Sequence, residues 1–256
     1  MELEQTVSDS PRCPHCSTVI QTDARFCGKC GKQIKHEVQA HHPTDVFEHL
    51  GPVLLFYFIT LILLIVYKFT STFPEGINGM LVVSVIDIVI VIVFWVYNHY
   101  EVKPLFSFAN VKFSVAILTV LGALLGSLSI FFLADLIQIS ISDHDVFYNP
   151  YLFGDTPYPM LLSILFICVQ PAIFEEVAFR GFMFNNLQRV SSPIGAIYIT
   201  SFIFGIIHLA FISMLWLVPL GLAFAFLRYR YNTLWYGVIG HFTYNLGITL
   251  LEFYWY

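Results

Sequence analysis

Three short runs in the carboxyl-terminal half place acids, histidines and an amide at helical spacing. Glu175 and Glu176 are followed by Arg180, Phe204 by His208, and His241 by Asn245. Glu176 and Arg180 are i and i+4, the favourable order for an intrahelical ion pair. Glu175 lies about 100° further round the same helix and cannot share that face, so it is left to meet a cavity. His241 and Asn245 are also one turn apart and present an imidazole and a carboxamide together. A free carboxylate, two histidines and an amide donor contain the parts of a hydrolase site. The carboxylate, with one histidine, activates water, while the other histidine and the amide hold an oxyanion. The modest alternative is that such groups only join helices. Six of them on three segments ask for more than that.

A second cluster lies near the amino terminus. Cys13-Pro14-His15-Cys16 and Cys27-Gly28-Lys29-Cys30 are two C-x-x-C pairs separated by ten residues. Four thiolates in two turns suit tetrahedral Zn²⁺. A segment this short buries too little apolar area to fold alone, so bound zinc would supply its folding free energy. A closed four-thiolate site leaves no open position for water, so this zinc is structural, and the ribbon reads as a docking or regulatory module. His36, His41, His42 and His49 follow in the linker and read as solvated.

The rest of the chain has to position these groups, and its composition says in what medium. Of 256 residues, 57% are hydrophobic and 11% charged, against about 25% charged in a soluble domain. A soluble enzyme is excluded, and a net charge of −5 excludes a nucleic-acid binder built on a basic surface. Uncharged runs of 19 residues from Glu48 to Lys68, 22 from Lys112 to Asp135 and 38 from Arg189 to Arg228 match the ~20 residues a membrane helix needs. The expected fold is all-α, a polytopic bundle of about seven spans near 50–67, 77–97, 113–134, 159–187, 194–209, 211–227 and 233–253. The expected divisions are a zinc ribbon at 11–32, a linker at 33–48, amino-terminal spans at 50–153 and a catalytic core at 154–256. No secretory signal precedes the first span. With the amino terminus in the cytoplasm, 11 of the 12 basic residues fall on the cytoplasmic side and Lys68 alone falls outside, as the positive-inside rule asks.

In such a bundle each central charge costs about 2.5–3.5 kcal/mol on insertion scales. Residues kept there are paired, wetted or used. Asp87, alone in the second span with no motif around it, reads as structural or water-facing. Cys168 reads as a small apolar filler.

The three runs now read as EExxxRG (Glu175 to Gly181), FxxxH (Phe204 to His208) and HxxxN (His241 to Asn245). In that order, on membrane spans, they resemble the CAAX protease and bacteriocin-processing family of intramembrane endopeptidases. The stretch Cys13–Gly31 is similar to the zinc ribbons that precede membrane domains in many bacterial proteins. The family resemblance implies a helical-bundle protease with its site inside the membrane. It implies Glu175 as the water-activating base assisted by His208, His241 and Asn245 as oxyanion stabilisers, and Glu176 with Arg180 as a structural ion pair. It also implies lipid around the bundle and a peptide or protein substrate, with no nucleic acid; the ribbon would offer a site for a protein partner.

The catalytic metal is left open by these residues. Glu175, His208 and His241 contain a two-histidine, one-carboxylate zinc set. A metal-free glutamate mechanism is favoured, because zinc on Glu175 would leave Glu176 as base, and Glu176 faces Arg180. Two other functions compete with the protease. A transporter would use the same buried groups, yet residues 50–137 repeat none of the motifs in 155–253. A silent immunity or binding protein would not need all six polar groups.

Overall fold

In the computed structural model the described residues are 12–20, 27, 29, 31, 32, 34, 43–141 and 153–255, with the backbone alone described at 43–45, 134–135 and 137–141. Cys30 and the linker histidines His36, His41 and His42 lie outside them. The chain divides into two units, Met1–His41 and His42–Tyr256.

The second unit contains seven long helices among its described residues. They are α1 (Pro43–Phe69), α2 (Gly76–Tyr97), α3 (Phe113–Ile141), α4 (Pro159–Val190), α5 (Pro193–Ile207), α6 (Met214–Tyr231) and α7 (Trp235–Trp255). α1 starts and α3 ends seven residues beyond the expected spans, since nothing in the sequence stops the backbone ladder at the edge of the apolar run. α1 to α4 are long and apolar enough to cross a membrane. α5 has 15 residues, about 22 Å of helix against a hydrocarbon core of ~30 Å. It starts with Pro193 at its first position and the Ser192 side chain accepting from Gly195 N–H, and it closes at Leu209, which takes φ +51°. α6 and α7 carry Arg228, Arg230, His241 and Asn245, which lower their apolarity. Lys68, the basic residue outside the positive-inside pattern, donates to the Leu209 carbonyl at 2.7 Å.

An aromatic core joins the helices that flank the site. Phe56 of α1 meets Phe94 of α2 at 5.2 Å and Phe182 of α4 at 5.7 Å, both edge-on. Phe179 of α4 meets Phe204 of α5 at 5.2 Å. Such pairs contribute about 0.5–1.5 kcal/mol each beyond area burial. Facing outward are Leu118, Leu125, Val85, Val93 and Phe58, all exposed, which on a soluble protein would be a liability and here is the lipid-facing surface.

α4 is the least regular helix, and its sequence says why. Pro171 has no N–H to give the Ile167 carbonyl. Around it, residues Ile164–Val169 are π-helical, and a second π segment covers Glu176–Met183. Such widened turns concentrate at functional sites, and this second one contains Glu176, Arg180 and Gly181.

Candidate active site and zinc ribbon

The ion pair between Glu176 and Arg180 forms as their spacing implies. Arg180 Nη1 donates to Glu176 Oε1 at 2.9 Å, with both side chains fully buried. Two full charges in that position need further partners. Arg180 Nη2 also donates to the Gly221 carbonyl at 3.4 Å, and the guanidinium lies 4.4 Å from the Phe204 ring centroid. The Glu176 carboxylate rests against Gly237 of α7. A Cβ at 237 would collide with Glu176 Oε2, so glycine is required there by close approach.

His241 of α7 stands between the two glutamates. Its Nδ1 lies 3.3 Å from Glu176 Oε1, and its Nε2 lies 3.9 Å from Glu175 Oε2. A carboxylate paired with arginine can only accept, so Nδ1 carries the hydrogen and Nε2 is turned to Glu175. Glu175 itself keeps a quarter of its side chain accessible, whereas Glu176 keeps none. It faces a cavity of about 220 Å³ between α1, α2 and α4, whose wall also includes Phe179, Gln170 and Asp87.

His208 and Asn245 stand further out. His208 Nδ1 donates to the Phe204 carbonyl at 2.7 Å, which leaves Nε2 as its acceptor. The Phe204 ring touches both histidines, His208 at 4.9 Å and His241 at 6.0 Å. The histidine beside Glu175 is therefore His241. Asn245 Nδ2 donates to the Ile167 carbonyl at 2.8 Å, which is the group that Pro171 leaves unpaired. One carboxamide N–H is thus committed to bracing α7 on α4, and the other is left over.

Sequence reasoning missed Gly237, Gln170 and Thr60. A glycine within an apolar helix was the available signal for the first; nothing singled out the other two. It also counted Arg228 as a membrane-edge charge. In the structure Arg228 is buried, with Nε donating to the Arg180 carbonyl at 3.1 Å and Nη2 to Asn185 Oδ1 at 2.7 Å. The backbone oxygen it caps belongs to the second π segment.

In the first unit, the Sγ atoms of Cys13, Cys16 and Cys27 lie within 4.8 Å of one another, and Cys16 and Cys27 approach to 3.5 Å. Around one zinc at ~2.3 Å, tetrahedral thiolates are about 3.8 Å apart. The two knuckles are built alike. Cys13 N–H donates to Thr18 O and Ser17 N–H to Cys13 O; Cys27 N–H donates to Lys32 O and Gly31 N–H to Cys27 O. Ser17 at φ +55° and Gly31 at φ +71° supply the left-handed turn in each. The His15 N–H points at Cys13 Sγ, 3.4 Å away, and stabilises a thiolate. These residues fit zinc. Glu175, His208 and His241 form no comparable trio among the described residues.

Residues 157–247 match the family described as type II CAAX prenyl endopeptidase, Rce1-like, and residues 12–34 match a zinc-ribbon domain. Over that stretch the protein is similar to the CAAX protease and bacteriocin-processing class, and the zinc-ribbon match precedes it in the chain. Over 91 residues it is 30% identical to the Bacillus subtilis (strain 168) protein named "Putative membrane peptidase YdiL". That match covers 36% of this chain and 37% of the relative, so the chain spans little more than a third of the relative's length. No solved structure matches.

Proposed function

We propose that the protein is an intramembrane endopeptidase that hydrolyses a peptide bond of a membrane-associated protein or peptide. The observation that carries this reading is Glu175, held beside His241 on the wall of a cavity within the bundle. The sequence family of residues 157–247 supports it.

In this reading Glu175 takes a proton from a cavity water as the water oxygen bonds to the scissile carbonyl carbon. The carbonyl π pair moves onto its oxygen, where the uncommitted N–H of Asn245 and His241, once its Nε2 carries a hydrogen as well, stabilise it. Collapse restores the carbonyl and breaks the C–N bond, and the leaving nitrogen takes the proton from Glu175. His208 assists Glu175 from the end of α5. Glu176 and Arg180 hold the helix and turn His241. The mechanism is of the glutamate type, since a metal on Glu175 would leave no base but the arginine-paired Glu176. The test is proteolysis in liposomes with candidate membrane peptides, comparing wild type with Glu175→Ala; undiminished cleavage by the variant overturns the reading.

The ribbon is structural in this proposal, and its separation from catalysis is testable. Purified protein should carry about one zinc per chain, and Cys13→Ser with Cys27→Ser should remove it while cleavage stays largely intact. Unchanged metal content in that variant would move the zinc into the bundle.

The amino terminus is proposed to face the cytoplasm. A cysteine introduced at Asp155 should then react with an impermeant thiol reagent added outside intact cells, and one at Ser191 should not. The reverse pattern would invert the topology read from the basic residues.

A further inference from the structure

The cavity that Glu175 faces has a second side, built by helices outside the family-matched stretch. Thr60 of α1 and Asp87 of α2 are on its wall, with Ser84 and Gln170. Thr60 is 5% exposed, and its Oγ1 is buried with no hydrogen-bond partner. Buried hydroxyls are almost always partnered, so the partner of Thr60 is something the cavity holds. Asp87 makes no hydrogen bond or ion pair with another side chain among the described residues. A residue that merely glued α2 to a neighbouring helix would show such a bond. An acid retained within an apolar span without a protein partner is wetted or used.

At roughly 30 Å³ per water, a cavity of about 220 Å³ has room for several. Its polar side chains come from three helices, and Glu175, whose Oε2 makes no hydrogen bond and lies 3.9 Å from His241 Nε2, lines it with Thr60. A buried water is held by about three hydrogen bonds, more than Glu175 alone provides.

We propose that Asp87 and Thr60 are the opposite wall of the hydrolytic water site and orient the water that Glu175 activates. The water gives one hydrogen to Glu175 and the other to Asp87, directly or through a second cavity water. The Thr60 hydroxyl donates to one of its lone pairs. The remaining lone pair is free to attack the carbonyl carbon. Both residues act through the water and are positioning residues. This rests on the reading of Glu175 as base, and the test separates the two.

The full chain in liposomes, with a peptide the wild type cleaves, is compared with Asp87→Leu, Thr60→Val, Thr60→Ser and Glu175→Gln. The inference expects kcat to fall by about 10²-fold for Asp87→Leu and about tenfold for Thr60→Val, the range seen when a reacting group loses its positioning. KM should stay within about threefold, since substrate binding is untouched. The unfolding temperature should not fall, because each change replaces a polar group in an apolar bundle by an apolar one. Thr60→Ser, which keeps the hydroxyl, should restore kcat. If Asp87→Leu and Thr60→Val keep wild-type kcat while Glu175→Gln is inactive, the inference is overturned and Glu175 stands as base. A loss of kcat that tracks a lower unfolding temperature, or that Thr60→Ser shares, also overturns it, since that marks a structural role. Full activity in Glu175→Gln removes the reading beneath both.

Discussion

Glu175→Gln should lower turnover by about 10²-fold or more, the contribution of a positioned general base, with the protein still folded. The amide keeps the size and most of the hydrogen-bonding capacity of the acid but cannot take a proton from water. Glu175 makes no ion pair with Arg180 and keeps an accessible edge, so the substitution leaves no buried charge behind. Its Oε2 stands 3.9 Å from His241 Nε2, a gap that an amide can occupy without disturbing α7. The measurement is single-turnover cleavage in liposomes beside thermal unfolding of the same preparation. A variant that loses stability in step with turnover would show Glu175 to be a structural group.

Glu176→Gln should do the reverse, lowering yield and stability first. Arg180 is then a buried cation without its carboxylate, a change that costs about 3–5 kcal/mol in buried pairs. The structure raises the stakes, because Glu176 Oε1 serves both Arg180 at 2.9 Å and His241 at 3.3 Å. Adding Arg180→Met should recover part of the loss, since removing both charges is far less costly than removing one. Recovery should be incomplete. The double variant still leaves His241 Nδ1 without an anionic acceptor, and it gives up the guanidinium over Phe204 and the bond to the Gly221 carbonyl. Thermal melts of the two single variants and the double variant check this. Equal stability of Glu175→Gln and Glu176→Gln, together with equal loss of turnover, would mean that the two carboxylates act as one coupled site.

The Asp87 proposal shows how an isolated residue and a motif differ in legibility. Glu175, Glu176, Arg180, His208, His241 and Asn245 stand out because each pair or run obeys helical spacing. Asp87 has no such neighbour, and Thr60 is one hydroxyl among many in an apolar chain. Only the cavity relates them to Glu175, which lies 88 positions along the chain from Asp87. Their place in the site follows from α1 and α2 packing on α4 through Phe56, Phe94 and Phe182.

By itself the sequence determined what depends on composition and on neighbours along one helix. Apolar runs of about 20 residues make membrane helices wherever they occur, because a bilayer leaves the backbone no other way to satisfy its hydrogen bonds. The Glu176–Arg180 pair follows from 3.6 residues per turn, and the cysteine knuckles from a spacing that suits two thiolates on a turn. Pro171 has no N–H to give the Ile167 carbonyl. The tertiary structure alone decided that Asn245, 78 residues away, donates to it, and that His241, not His208, stands between the glutamates. It also decided that Arg228 turns inward to cap the Arg180 carbonyl. Periodicity sets which side chains share a face of one helix. Which faces meet depends on how all the helices pack at once, and contacts between residues 48 to 78 positions apart leave no periodic trace in the chain.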